Sequence, residues 1–374
     1  MPCLPTAPPR VILALATLHQ LLVAGIIFGW ENLVPILLDQ RIFIEKCGSD
    51  AQALYRADAS KPCSEALVSL NLAVTTGFSA VSFSAVLFGP LQDYVSVFYA
   101  RILACACSAA GVICFAFAPS SPDLLLVATL LVGAGGGGIQ LTGFTVGQLF
   151  PSMQGVATSL IAASFSVSSL VFLVFNKLYF SFGISYQPLF LFYSAIVLFV
   201  FCSSFIWPHK FNASAADAGG KPLPADDSLH QSLLEHADAA GATTVVPVAG
   251  DCVVQTRRKG ARNVELHRLG WKQQALSVEF VTLVAIISVQ SLASNIFVSS
   301  YVQMAAELSS DAGRLSAAAT AFSILFPLCS VTTPVIGLVM DRCMLHTVIA
   351  FVVALGVLWQ ALTFIPSISW QILT

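Results

Sequence analysis

Charge is scarce in this sequence. Asp, Glu, Lys and Arg make up 10% of its 374 residues, against 57% hydrophobic residues. A soluble globular chain carries about 25% charged residues to solvate its surface, so that class is excluded. The net charge is −2 and basic residues cluster in one loop only, which excludes a nucleic-acid partner. Metal-ligand spacing is missing too. No CxxC pair or Cys/His cluster occurs, and cysteines such as Cys105, Cys107, Cys114, Cys202 and Cys329 sit in or beside apolar runs, where they read as small hydrophobes. The histidines are scattered, with His19 alone in the first apolar run, and no His/Asp/Ser constellation suggests hydrolysis. The glycines from Gly133 to Gly138 are not followed by G-K-[ST], so they do not form a phosphate loop. Neither an enzyme, a metal nor a cofactor is expected.

What is abundant is long uninterrupted apolar sequence. A bilayer core of about 30 Å takes roughly 20 apolar residues in a helix. In lipid the backbone must bond to itself, which leaves helices or closed barrels, and these runs lack the alternation of barrel strands. The expected fold is therefore an all-α, polytopic bundle with a lipid bilayer as its surroundings. Nine spans are expected, near 11–38, 66–89, 101–118, 124–149, 155–178, 187–207, 276–303, 313–340 and 346–365. The first is too long for a signal-peptide core and no cleavage site ends it, so it is retained. Between the sixth and seventh spans the composition turns hydrophilic and rich in Gly, Ala, Pro and Asp. This gives three parts: a six-helix half over 1–208, a linker over 209–273 and a second membrane part over 274–374. The basic end of the linker, Arg257 to Arg268, reads equally as an interfacial helix or a solvated tether. With the N-terminus inside, 11 of the 17 Lys and Arg residues fall on the cytoplasmic side, so that orientation is expected, in a plasma or organelle membrane. Cys47 and Cys63 then flank an outer loop and are expected to pair.

Two loops repeat. Span two ends in Gly89-Pro90-Leu91-Gln92-Asp93, with Arg101 opening span three, and span eight ends in Gly337-Leu338-Val339-Met340-Asp341-Arg342. Both are G-x-x-x-D at the cytoplasmic end of the second helix of a half. Glycine allows close helix approach, and the aspartate can cap a helix or pair with arginine. A duplicated motif on either side of a hydrophilic linker is a transporter signature.

At these residues the sequence resembles the major facilitator superfamily, in which Gly89, Leu91, Asp93 and Arg101 fit the motif between the second and third helices. Further stretches, Phe28 to Leu33, Gly133 to Thr142 and Pro334 to Arg342, resemble solute carrier family 43 and related protist amino-acid transporters. The resemblance implies two six-helix halves that rock about a central site lined by helices one, four and seven. It implies transport of a small-molecule substrate, amino acids first, by alternating access. Gly89, Asp93, Arg101, Gly337, Asp341 and Arg342 would form gating loops, with Asp341 docking near Gln154 and Gly155 at the start of helix five. Against twelve family spans the nine found read as a second half that stops after its third helix.

The residues suggest where a solute would bind. Glu31 is the one acidic residue well inside an apolar span, and such groups are functional hypotheses by default. It either binds a substrate ammonium or a proton, or it lies near the outer end and reaches water. Its neighbour Asn32 joins it as a candidate contact. Gly136, Gln140, Gly143 and Gly147 share a helix face, which reads as close packing, with Gln140 and Thr142 as candidate cavity groups. In span seven, Gln290 and Ser294 share a face with Asn295 beside it, either bonding other helices or touching substrate. Asn71, Thr75 and Ser82 repeat the pattern in span two. A sugar, nucleoside or organic-anion carrier is the rival reading, and a receptor or scaffold that moves nothing is the reading from another class.

Overall fold

The computed structural model describes residues 8–58, 63–208, 275–308, 321, 324–325, 327–342 and 345–363. The expected linker lies outside them, as do the side chains of Ser294 and Asn295. Every regular element among the described residues is helical. The chain divides into two compact units, one of Met1–Ala216 with Val298–Thr374 and the other of Asp217–Phe297.

The first span is a broken helix. α1 (Pro9–His19) starts with proline at its first position, where the missing N–H is no loss. It runs through a π turn, Gln20–Ala24, breaks at Gly25, and resumes after a 3-10 turn, Ile26–Gly29, as α2 (Trp30–Asp39). The two pieces, Pro9–Ala24 and Ile26–Asp39, meet at 42°. Neighbouring helices satisfy the backbone at the break. Gly25 N–H donates to Ser168 Oγ at 2.7 Å, and the Tyr193 hydroxyl donates to the Leu22 carbonyl.

The loop between α2 and the next long helix folds on itself. Arg41 and Phe43 take left-handed φ values of 54° and 66°, turning the chain into α3 (Ser49–Ala57). Phe43 is buried, and the Tyr55 hydroxyl donates to the Leu38 carbonyl at 3.2 Å. A disulfide joins Cys47 and Cys63, with Cα atoms 5.8 Å apart.

Five further helices of spanning length follow. α4 (Ser64–Pro90) continues through a π turn to Val95, and Ser96 caps α5 (Val97–Phe117) by accepting from Phe98 N–H at 3.2 Å. α6 (Leu124–Phe144) extends by a 3-10 turn to Leu149. α7 (Gln154–Val167) and α8 (Leu170–Phe182) together cross within Pro151–Phe182. Gly183, at φ 67°, ends α8 in the left-handed conformation that carries least strain in glycine. α9 (Tyr186–Ser203) reaches Ile206 through one more turn. Six of the nine expected spans thus appear as apolar helices or a bent pair long enough to cross a bilayer. Toward the C-terminus lie α10 (Val278–Leu308), α11 (Thr333–Met340) and α12 (Leu345–Thr363).

The glycines of α6 explain its central place. A Cβ on Gly136 would lie 2.1 Å from the Ala24 carbonyl oxygen, on Gly133 2.3 Å from that of Gly77, and on Gly135 2.3 Å from Ser108 Oγ. No side chain fits, so α6 touches the first span, α4 and α5 through bare backbone. This is the close packing that replaces hydrophobic collapse inside lipid.

Candidate functional site

One end of the bundle carries the second G-x-x-x-D loop. Asp341 follows α11 and caps α7 from across the fold. Its Oδ1 accepts Gly155 N–H at 2.7 Å and its Oδ2 accepts Val156 N–H at 3.0 Å. The first N–H groups of a helix lack partners within it and carry partial positive charge, so a carboxylate there fits in both hydrogen bonding and sign. α7 has no side-chain cap of its own at Met153. Gly337 and Gly155 permit the contact: a Cβ on either would come within 2.6 Å of the other's carbonyl oxygen. Asp341 and Arg342 stay exposed. In the first loop Gly89 is half-buried, and Asp93 is exposed on the π turn Leu91–Val95 with no hydrogen bond among the described residues.

Arg101 corrects the sequence reading. It is not a loop residue. It lies in the first turns of α5 with its side chain fully buried. Its Nη1 donates to the Ile139 carbonyl at 2.7 Å and to Thr142 Oγ1 at 3.2 Å, and its Nη2 donates to His19 Nδ1 at 2.6 Å. The guanidinium also lies 4.4 Å from the centre of the Trp207 ring, a cation–π contact. Because Arg101 can only donate, His19 Nδ1 must accept, so its proton is on Nε2, which donates to Ser203 Oγ at 2.7 Å. Thr142 belongs to the same cluster: its hydroxyl is buried, donates to the Gly138 carbonyl at 2.8 Å and accepts from Arg101 at 3.2 Å. This cluster ties α1, α5, α6 and the end of α9 together.

The other candidate surface is on α2. Glu31 is exposed, one turn beyond Phe28. The Phe28 ring sits between α4 and α7, 5.1 Å from Phe78 and 5.5 Å from Phe165 between ring centres. Gly29 brings the helix against α8's start, where a Cβ would meet the Ser169 carbonyl oxygen at 2.1 Å. Phe78 shares its α4 stripe with Asn71, Thr75 and Ser82, all exposed. Thr75 and Ser82 donate back to the Asn71 and Phe78 carbonyls at 2.7 and 3.2 Å, so their hydroxyls are satisfied without a partner helix. The backbone carbonyl of Asn32 accepts Asn176 Nδ2 at 2.9 Å, and its side chain is half-buried. Gln140 is half-buried on α6 between the positions that face α4 and those that face the first span, and Gln290 is half-buried on α10. No group of three His, Cys, Asp or Glu among the described residues has a metal-binding arrangement.

The bundle of broken and glycine-packed helices, with an aspartate loop docked on a helix start, has a match among known families. The family model of the Major Facilitator Superfamily matches residues 63–374. The chain belongs to this superfamily. Equilibrative nucleobase transporter 1 of Bos taurus is 27% identical over 211 residues, 56% of this chain and 41% of that protein. Large neutral amino acids transporter small subunit 3 of Homo sapiens is 23% identical over 201 residues, 52% and 36% respectively. Protein FMP42 of Saccharomyces cerevisiae is 23% identical over 362 residues, 88% of this chain and 70% of that protein. The chain thus spans about two fifths of the length of the first two relatives.

Within this facilitator, sequence reasoning missed His19, Phe28 and Trp207. His19 stands alone in the first apolar span, and Arg101 is 82 positions away. One signal was there: a buried span that contains a histidine needs a polar partner, and Arg101 at the apolar start of α5 needs one as well. Phe28 had no signal beyond its place one turn before Glu31.

Proposed function

We propose that this facilitator moves small organic solutes that present N–H donors, amino acids first, by alternating access between two membrane halves, 1–208 and 274–374. The observation that carries the reading is the exposed carboxylate of Glu31 on the broken first span, three residues beyond Phe28. An ammonium or ring N–H would find an acceptor there, and an apolar side chain would find aromatic surface. The negative charge disfavours organic anions. The human relative is named for large neutral amino acids. A second reading, nucleobases, draws on the three phenylalanine rings, which suit a flat heterocycle, and on the name of the bovine relative.

In this reading the N-terminus is cytoplasmic. The Lys and Arg bias supports that, and so does the Cys47–Cys63 disulfide, since disulfides persist on the oxidising side of a membrane. The Asp341 cap on α7 then closes the cytoplasmic side, with Gly89 and Asp93 as the companion loop. Uptake of radiolabelled leucine, arginine, adenine and glucose by cells making the full-length protein separates the readings. Saturable leucine uptake supports the first and adenine uptake the second. Glu31→Gln keeps the shape and removes the charge, so it should lower uptake at normal surface expression. Glucose uptake alone, or no dependence on Glu31, would refute the proposal.

A further inference from the structure

The span Pro151–Phe182 begins at the Asp341 contact and ends at a cavity of about 500 Å³. The cavity therefore opens on the opposite membrane face, among the ends of α2, α5, α8 and α9. Its volume falls within the roughly 300–1,000 Å³ of small-molecule sites. It stands apart from the Glu31 surface, which is two turns deeper on α2.

Its lining has a definite chemistry. Tyr179 and Tyr186 supply aromatic surface, and both hydroxyls are already engaged. Tyr179 donates to Asp39 and accepts from Gln40 Nε2 at 2.7 Å, while Tyr186 donates to the Phe115 carbonyl at 2.9 Å. The hydrogen-bonding groups left over are neutral. Ser120, Ser185 and Gln187 line the space and make no side-chain hydrogen bond among the described residues. No charged side chain lines it. Gly183, in its left-handed conformation, has open space where a Cβ would stand.

An anion would face the exposed Asp39 carboxylate behind Tyr179, no charged side chain lines the cavity to meet a cation directly, and a purely apolar ligand would bury three unpaired polar side chains at about 1–3 kcal/mol each. A polyhydroxylated ring has the complementary make-up: C–H faces for the tyrosine rings and neutral hydroxyls that both donate and accept. We propose that this cavity binds a neutral polyhydroxylated ligand, either a free sugar or the sugar headgroup of a lipid. Gln40 and Asp39 end the helix that bears Glu31, so occupancy meets the first span at its outer tip.

The test uses the full chain in phosphatidylcholine nanodiscs prepared without sugar detergents. Saturation-transfer NMR is recorded with maltose, and separately in discs containing glucosylceramide. Saturable contact of the ring protons is expected in at least one arm. Maltose alone assigns a soluble sugar, and the glycolipid alone assigns a headgroup. The paired change Ser120→Ala with Gln187→Ala should weaken binding at least tenfold without changing the melting temperature. If the pair does not fold, Ser185→Ala, at an exposed turn, is read in its place. No saturable signal in either arm, a signal untouched by these changes, or tighter binding of gluconate or glucosamine than of maltose would overturn the proposal. Uptake by Glu31→Gln is a separate readout and does not bear on it.

Discussion

Removing the two members of the His19–Arg101 pair should have unequal costs. In His19→Leu the buried guanidinium keeps its charge and loses the Nδ1 acceptor at 2.6 Å. Leaving a buried charged donor unsatisfied costs more than the ~1–3 kcal/mol of a neutral group. In Arg101→Met the charge goes as well. The Ile139 carbonyl still accepts Gln20 Nε2 at 3.0 Å, and Thr142 still bonds the Gly138 carbonyl at 2.8 Å. Only His19 Nδ1 is left bare, at about 1–3 kcal/mol. The lost contact with Trp207, at 4.4 Å, is offset by no longer burying a cation. The double variant strands neither group, so its cost falls well below the sum of the singles, a coupling of about 2 kcal/mol or more. Thermal melting of the full-length protein in one detergent reads this as an order: wild type highest, Arg101→Met and the double variant close together, His19→Leu lowest. Additive losses, or a His19→Leu protein as stable as Arg101→Met, would refute the arrangement of a charged donor on a neutral histidine.

Asp341→Asn leaves one acceptor for two N–H groups and removes the charge at the start of α7, a loss of about 0.3–1 kcal/mol at an exposed helix end. Alkylation of a cysteine placed at Ser152 should then speed up two- to five-fold; unchanged labelling would show that the contact does not hold this end closed. Reducing Cys47–Cys63, or Cys47→Ser with Cys63→Ser, should cost about 3 kcal/mol in the chain-entropy model and lower the melting temperature. Alkylation of both thiols without reductant would contradict the pairing. Gly136→Val forces side-chain atoms onto the Ala24 carbonyl, 2.1 Å from the Cβ position, so folded yield should collapse; normal yield and monodispersity would count against that packing. Asn212-Ala213-Ser214, outside the described residues, should carry no glycan if the linker is cytoplasmic; a glycosidase-sensitive mass shift lost in Asn212→Gln would invert the orientation.

Apolar runs were enough to place the six spans of the first half, because lipid demands about 20 residues of helix wherever the chain crosses. The glycine run at Gly133–Gly138 was legible as close packing for a related reason: only bare backbone lets helices meet at this distance. The docking of Asp341 near Gln154 and Gly155 came from the family resemblance, and the chemistry fits it, since a carboxylate at a loop and an uncapped helix start are complementary. The Arg101 cluster was not legible. It joins residues from four segments, and sequence periodicity reports which face a residue occupies but not which helix that face meets. Thr142 shows the limit at close range, since it and Gln140 are two residues apart and so point to different neighbours. The 42° bend was hidden as well: Gly25 is one of many glycines, and what fixes the break is Ser168 and Tyr193 on other helices.

That last fact makes the bend a property of the assembled bundle. A peptide covering only Pro9–Asp39 in lipid would lack both the Ser168 hydroxyl and the Tyr193 hydroxyl. Its free amide at Gly25 and free carbonyl at Leu22 would sit in hydrocarbon, each at a cost of several kcal/mol. The peptide escapes that cost by winding through the break as one continuous helix. The first span should therefore enter the membrane straight and acquire its bend only when the segments carrying Ser168 and Tyr193 arrive. Glu31 would then reach its final position late in assembly, after the helices that flank it.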